Sequence, residues 1–134
     1  ESPETAETIQ GQLKFTVRTN YSTPPSFGAR LVNHVLASDA LTDEWKTELE
    51  VMRERMHTMR QQLVTKLGEL RPDVDFSYLA AQVGMFSYTG FSPEQIKRLK
   101  DEFGVYLIAS GRMCVAGLNT RNIDATAKAF AAVC

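Results

Sequence analysis

Apolar residues recur at helical spacing through the middle of the chain. Nine of them lie three or four residues apart: Leu41, Trp45, Leu49, Met52, Met56, Met59, Leu63, Leu67 and Leu70. Side chains spaced in this way share one face of an α-helix. The pattern predicts one helix of about thirty residues, roughly 45 Å long, with Ser38 or Asp39 as its N-cap and Pro72 beyond its end. A coiled coil has similar spacing, but we favour a long helix packed on a sheet.

Two shorter helices are predicted before this long one. The segment Ser2–Glu4 supplies an N-cap serine, a proline at the first helical position and a first-turn acid. Apolar residues every four positions over 9–17 then predict a helix to about Asn20. Tyr21–Pro25 should be extended, because residues before proline avoid helical angles. A second helix is expected from about Gly28 to Ala37.

The second half of the chain predicts a mixture of strands and helices. Four short strands are expected, at 74–78, 84–88, 105–109 and 112–116. The run 105–109 is continuously apolar, which predicts burial on both faces. Ser92 and Gln95 form a capping-box pattern at the start of a helix that ends at Gly104, and Asn119 should cap a last helix. The predicted class is α+β, with the long helix and shorter helices packed on a small sheet.

Composition and charge narrow the class of protein. Apolar residues make up 43% of the 134 residues and charged residues 23%, as in ordinary globular domains. The 15 basic and 16 acidic residues are mixed and give a net charge of -1, which argues against nucleic acid and against an anionic membrane surface as partners. No apolar run is long enough to span a membrane. The two cysteines match neither a disulfide framework nor a metal site, so we expect a reducing, cytoplasmic location.

Three residues are candidates for chemistry, and each has a structural alternative. Arg112 follows a glycine at the start of a predicted buried strand, where a guanidinium needs a carboxylate partner. The carboxylate belongs to a bound ligand or to a side chain of the same chain in an internal salt bridge. Alternatively, the strand end faces solvent and Arg112 has no partner. Arg18 projects towards a ligand or partner subunit, or only stabilises a helix C-terminus. Phe86 is a core residue or a pocket wall.

The six lysines offer no nucleophile. All of them fall within predicted helices, mostly beside the apolar stripes and not within them: Lys14, Lys46, Lys66, Lys97, Lys100 and Lys128. A Schiff-base lysine must be desolvated or otherwise perturbed, so none of these is expected to form one.

Three segments carry a family resemblance. They read VRTNYSTPP at Val17–Pro25, GMFSYTG at Gly84–Gly90 and EFGVYLIASGRMCVAG at Glu102–Gly117. In this order and separation they resemble the C-terminal small-domain portion of the class I, fold-type I aminotransferases that depend on pyridoxal phosphate (PLP). The subgroup is that of the aspartate and aromatic-amino-acid enzymes. The segment Gly111–Asn119 is more similar to the aromatic, or tyrosine, members.

The resemblance implies roles for the candidate residues. Arg112 would bind the substrate α-carboxylate, and Phe86 would line the entrance of the substrate pocket. Arg18 would reach into the neighbouring site of a homodimer and pair with the distal carboxylate of dicarboxylic substrates. No catalytic residue is expected in this chain, because the PLP lysine of the family belongs to an upstream large domain.

The resemblance also implies a place in a larger protein. Residues 1–134 would form one C-terminal small domain, with 1–40 including an interdomain or subunit-interface helix and loop. Tyr21, Ser22 and Thr23 would lie at the subunit boundary near the partner's site, and aspartate-specific members typically have Asn at the position of Thr23. Since the chain begins at Glu1 and not at Met, we expect a piece of a longer protein whose PLP-binding domain is absent.

The function implied is transfer of amino groups between aromatic or dicarboxylic amino acids and 2-oxoglutarate. PLP would be the cofactor of the parent enzyme, and the fragment alone is expected to bind no PLP and to be inactive. Two alternatives remain open: a free-standing, non-catalytic amino-acid-binding or interaction module derived from the same fold, and a helical interaction module built on the stripe between Leu41 and Leu70.

Overall fold

The computed structural model describes residues 2–134. Its helices and strands are α1 (Pro3–Asn20), α2 (Phe27–Leu36), α3 (Asp39–Leu70), α4 (Ser77–Ala81), β1 (Phe86–Tyr88), α5 (Pro93–Phe103), β2 (Arg112–Cys114) and α6 (Ile123–Val133). A 3₁₀ helix, Val115–Gly117, follows β2. Helices that accompany a small sheet confirm the predicted α+β class. The chain divides into two compact units, and the boundary falls within α3 between Lys46 and Thr47.

The first unit confirms the two predicted N-terminal helices. The Ser2 hydroxyl accepts a hydrogen bond from the Thr5 amide, so it caps α1 as expected. No residue of α1 or α2 is buried. A cavity of about 270 Å³ lies within this unit and is lined by apolar side chains only: Leu31, Val32, Val35, Leu36 and Trp45.

The prediction of an extended segment after α1 is wrong for its first two residues. The amides of Tyr21 and Ser22 both donate to the Val17 carbonyl, at 3.1 and 3.0 Å, and Ser22 has φ of 61°. The last carbonyls of a helix lack partners within it, and a tight turn supplies them. This requirement outweighs the extended preference imposed by the later prolines.

The long helix α3 has the predicted bounds, and its 32 residues begin after Ser38, whose hydroxyl accepts from the Leu41 amide. Its apolar stripe is buried only in the second half, where Met59, Leu63 and Leu67 belong to the core. In the first half, Trp45 remains 46% exposed, so the expected core role is confirmed for the C-terminal half alone. No helix within residues 2–134 is both long and apolar enough to cross a membrane.

The core of the second unit lies between α3 and the elements that follow it. Leu63 and Leu67 are fully buried against side chains from the rest of this unit, including Phe76, Leu79, Leu99, Val115, Ile123, Ala127, Phe130 and Val133. The rings of Phe91 and Phe130 meet edge to face, with centroids 5.0 Å apart. Full burial of one such leucine or phenylalanine is worth about 1.5–3 kcal/mol.

The sheet consists of β1 and β2, which pair antiparallel with Ser87 opposite Met113 and Tyr88 opposite Arg112. Ser87 and Met113 are buried, whereas their neighbours along each strand are exposed. Side chains alternate across a sheet, so the outward face carries Phe86, Tyr88, Arg112 and Cys114. The strands predicted at 84–88 and 112–116 are therefore confirmed but shorter.

The strand predicted at 74–78 is wrong. The Ser77 amide donates to the Asp75 carboxylate at 2.8 Å, and the Leu79 amide donates to the Phe76 carbonyl. An aspartate that bonds the amide two residues later starts a turn, so the chain enters α4 instead. The alternating apolar residues had the period of a strand, but local hydrogen bonding decides the backbone.

The strand predicted at 105–109 is also wrong. Val105 and Leu107 pack against the core, but Tyr106 is 76% exposed and Ile108 is 50% exposed. The segment therefore buries one side only, and within the described chain it pairs with no strand. A continuous apolar run predicts burial on both faces only if two layers cover it.

The capping signals around the last two helices give different results. Ser92 and Gln95 form the predicted capping box, and Gly104 ends α5 in the left-handed conformation, with φ of 65°. Asn119 does not cap α6 as predicted, since its side-chain oxygen accepts from Arg121 and Asn122 in a turn ahead of that helix. The helix begins only at Ile123.

Candidate functional site

A glycine turn directs Arg112 into the sheet. Gly111 has φ of 78°, and its carbonyl accepts from both the amide and the hydroxyl of Thr89, at 3.0 and 2.9 Å. A Cβ at position 111 would lie 3.2 Å from the Thr89 hydroxyl oxygen. Both the backbone angle and the close approach favour glycine, so the residue before Arg112 is constrained by geometry.

The guanidinium of Arg112 lies over the ring of Phe86, with its Cζ 4.5 Å from the ring centroid. The two residues are diagonal neighbours across the sheet, because Phe86 faces Cys114 while Arg112 faces Tyr88. A cation over an aromatic face is attracted by the ring quadrupole. Phe86 is 42% exposed, so it is not a core residue: its ring lies on the outward face of the sheet and contacts the Arg112 guanidinium.

The Arg112 guanidinium has no hydrogen bond or ion pair with any residue of 2–134. The internal salt bridge considered from the sequence is therefore not formed, and the guanidinium faces solvent at the strand end. A guanidinium presents five N–H donors in a planar fork that matches a carboxylate. With its guanidinium over the Phe86 ring and its donors unused, Arg112 is available to bind an anion.

A buried arginine lies on the opposite side of β1, and sequence reasoning missed it. Arg60 of α3 is 4% exposed and donates to the carbonyls of Gln82 and Gly84 and to the Ser87 hydroxyl, the last two at 2.7 and 3.1 Å. Burial lowers the pKa of its guanidinium. Arg60 lies four residues after Met56 and three before Leu63, which is the signal that places it on the apolar face of the helix.

Two further side chains form hydrogen bonds with the backbone along the edge of β1 that does not pair with β2. The Gln82 amide group donates to the Tyr88 carbonyl and accepts from the Tyr88 amide, at 3.0 and 2.8 Å. The Tyr78 hydroxyl donates to the Thr89 carbonyl at 2.5 Å. Through these contacts the edge of β1 has partners that a third strand would otherwise provide.

Arg18 and its neighbours belong to the first unit. The Arg18 guanidinium donates to the Ser22 hydroxyl, and no carboxylate within residues 2–134 pairs with it. Arg18 lies in the last turn of α1, where a cation also stabilises the helix dipole. Tyr21, Ser22 and Thr23 are exposed. The structure thus brings Arg18 to Ser22 and, in the other unit, Arg112 to Phe86.

The comparison with protein families shows which family this chain belongs to. The family model described as aminotransferase class I and II matches residues 5–130. The chain belongs to the class I and II aminotransferase family. The resemblance recognised from the three sequence segments is therefore confirmed.

Individual relatives agree with this assignment. The chain is 59% identical to an aromatic-amino-acid aminotransferase of Escherichia coli (strain K12), over 99% of this chain and 34% of the relative. It is 45% identical to an aspartate aminotransferase of the same organism, over 97% of this chain and 33% of the relative. The chain thus spans about a third of the length of the relatives it matches.

A solved structure of the same family supports the fold. The aromatic-amino-acid aminotransferase from Burkholderia pseudomallei, described as covalently bound to pyridoxal phosphate, superposes with a TM-score of 0.90 at 48% identity. The superposition covers 99% of this chain and 33% of that one. The aminotransferase small-domain fold predicted from the sequence is therefore confirmed.

The lysines of this chain do not fit the covalent attachment of PLP. The Nζ atom of Lys66 lies 2.6 Å from Oδ1 of Asp124, and that of Lys97 lies 2.5 Å from Oδ2 of Asp101. The hydrogen bonds to these carboxylates raise the pKa of both lysines. A lysine that forms a Schiff base needs a lowered pKa. None of the six is buried in the part of the chain that the structure describes.

Proposed function

We propose that this chain is the substrate-binding small domain of a PLP-dependent aminotransferase acting on aromatic and dicarboxylic amino acids and on 2-oxoglutarate. The observation that carries the proposal is the unpaired Arg112 guanidinium stacked on Phe86, in a chain that belongs to the aminotransferase family. We further propose that PLP binds to a part of the parent enzyme that lies outside these 134 residues. The chain by itself would therefore lack activity.

Arg112 binds the α-carboxylate of the amino acid in this proposal. Two parallel N–H groups of the fork donate to the two carboxylate oxygens, which fixes both the position and the plane of the acid group. Phe86 keeps the guanidinium from rotating, because the ring attracts one of its faces. An anchored carboxylate turns the rest of the substrate in one direction, and this orientation is the contribution of the chain to the reaction.

Arg18 provides the second recognition element of the proposal. Its only partner in the described chain is the neutral Ser22 hydroxyl, so its charge is available for the distal carboxylate of a dicarboxylic substrate. Residues 1–40 would include an interdomain or subunit-interface helix and loop of a homodimer, with Tyr21 to Thr23 near the partner's site. The aromatic preference is supported by two relatives at 59% identity, an aromatic-amino-acid and a tyrosine aminotransferase.

The test uses the full-length protein, supplied with PLP and 2-oxoglutarate and assayed with phenylalanine, tyrosine and aspartate. Arg112→Ala should raise KM for every amino acid and lower kcat/KM by about 30-fold or more, because removing one partner of a charge pair costs at least about 2 kcal/mol. Arg98→Ala is the matched control, since Arg98 pairs with Glu102 on α5 and should leave the kinetics unchanged.

Two results would overturn the proposal. One is unchanged kinetics of Arg112→Ala in an active enzyme, which would remove the role of this arginine. The other is millimolar or tighter binding of phenylalanine or 2-oxoglutarate by the 134-residue chain alone, which would favour the non-catalytic amino-acid-binding module, because a fragment holding half a site binds poorly.

A further inference from the structure

We propose that Arg60 is a positioning residue for the substrate carboxylate: its buried guanidinium fixes β1 where Phe86 lies beneath Arg112. This inference rests on the proposed function, which assigns carboxylate binding to Arg112. Arg60 donates its hydrogen bonds to Gln82, Gly84 and Ser87, not to Phe86 or Arg112, so it acts through β1.

The first argument is that Arg60 is a buried cation without a counter-charge. It is 4% exposed, and no carboxylate within residues 2–134 pairs with it. Its Nε has no hydrogen-bond partner. Burial of an unpaired charge is costly, and an apolar side chain of similar size often packs better. A role in general packing would therefore be served better by methionine or leucine.

The second argument is where its donors point. They reach the Gln82 and Gly84 carbonyls, which precede β1, and the hydroxyl of Ser87, which lies inside β1. Gly84 has φ of 85°, so the backbone turns sharply at the residue that Arg60 binds. Three contacts over six residues fix the entry of the strand that carries Phe86.

The third argument is the path from β1 to Arg112. Ser87 bonds to Arg60 on the core side of the strand, while its neighbour Phe86 projects from the outward face. Tyr88 is paired with Arg112 itself. A shift of β1 would therefore move both the ring under the guanidinium and the backbone pairing of Arg112.

The experiment compares arginine variants in the full-length, PLP-loaded enzyme. Arg60→Met removes the donors and keeps an apolar side chain, whereas Arg60→Lys keeps the charge and some of the hydrogen bonds. Arg71→Met is the matched control: Arg71 also lies in the second unit and also binds distant carbonyls, those of Ala131 and Cys134, but these lie at the end of α6.

Each variant is measured for the temperature of unfolding, for KM and kcat, and for the Kd of 3-phenylpropionate, a carboxylate with an aromatic ring and no amino group. We expect Arg60→Met to raise KM and this Kd by about tenfold, the lower limit for one lost hydrogen bond to a charged group, with a smaller change in kcat. Arg60→Lys should restore part of the affinity. Arg71→Met should lower the unfolding temperature and leave KM unchanged.

The outcomes separate this inference from the proposed function. An active wild-type enzyme in which Arg60→Met and Arg71→Met both keep the wild-type KM overturns the role of Arg60 alone. A wild-type protein without aminotransferase activity removes the proposed function and this inference with it. If Arg60→Met does not fold, Ser87→Ala tests the inference instead, because it removes one acceptor of Arg60. This variant should raise KM by about twofold to fivefold. An unchanged KM would then refute the inference.

Discussion

The guanidinium carbon of Arg112 lies 4.5 Å from the ring centroid of Phe86, across two antiparallel strands. The guanidinium carbon lies over the ring, and the N–H groups at the edges of the guanidinium plane have no hydrogen-bond partner among residues 2–134. These edges are what a carboxylate binds. The aromatic residue therefore orients the arginine without competing for its hydrogen bonds.

Phe86→Leu should weaken substrate binding without abolishing it. A cation–π contact at an exposed site is worth about 0.5–1 kcal/mol, so KM of the full-length enzyme should rise by about twofold to fivefold for all amino-acid substrates. Phe86→Tyr keeps an aromatic face and should remain close to wild type. Steady-state kinetics with phenylalanine and aspartate measure both variants, and equal KM values for the leucine and tyrosine variants would show that the ring has no such role.

Arg18→Ala should discriminate between substrate classes. If Arg18 pairs with a distal carboxylate, its loss removes charge-assisted hydrogen bonds worth about 1.5–3 kcal/mol from aspartate and glutamate only. The kcat/KM for these substrates should fall by about tenfold to a hundredfold, while phenylalanine and tyrosine change little. Ser22→Ala is the control: it removes the hydroxyl that Arg18 binds but keeps the charge of Arg18, so kcat/KM for aspartate and glutamate should fall less than in Arg18→Ala. Equal losses for both classes would identify Arg18 as a structural residue.

Gly111→Ala should destabilise the second unit. The left-handed angle of 78° and a neighbour at 3.2 Å impose strain of about 1–3 kcal/mol on any larger residue. Gly117→Ala is the control, since a Cβ there meets nothing within 4 Å. Urea unfolding of the 134-residue chain measures both variants. A free energy of unfolding equal to that of wild type for Gly111→Ala would contradict the close approach of Thr89.

The features that the sequence predicted correctly are those encoded locally. Ser92, Gln95 and Gly104 mark both ends of α5 because capping depends on residues within one turn of the helix end. The ends of α3 are marked in the same local way, by Ser38 before its first residue and Pro72 beyond its last. The segment 74–78 failed because one Asp75 hydrogen bond changes the backbone while leaving the apolar pattern of a strand intact.

The candidate site was only partly predictable. Arg112 could be found because an arginine after a glycine turn is unusual in a buried strand. The contact of Arg112 with Phe86 and the hydrogen bonds of Arg60 join residues 22 to 27 positions apart. The first depends on the register of the sheet, and the others depend on how α3 packs against β1. The half-buried stripe of α3 has a similar cause, since periodicity shows which face is apolar but not what covers it.

The stability of the chain should depend on Asp73 at acid pH. Both oxygens of Asp73 accept from Arg71 at 2.8 Å, and these hydrogen bonds lower the pKa of Asp73 from 3.8 to about 2. A carboxyl group whose pKa is lower in the folded state stabilises that state above its unfolded pKa. This contribution is lost as the pH falls from about 4 to about 2.

Asp73→Asn should therefore reduce the free energy of unfolding of the 134-residue chain at about pH 6, and the difference from wild type should shrink as the pH falls and vanish below about pH 2. Urea unfolding at several pH values measures this difference. In an Arg71→Met background the substitution at Asp73 should have little pH-dependent effect, because the donors that lower the pKa are gone. A difference that stays constant from pH 6 to pH 2 would show that Asp73 stabilises the fold by a contact that does not need its charge.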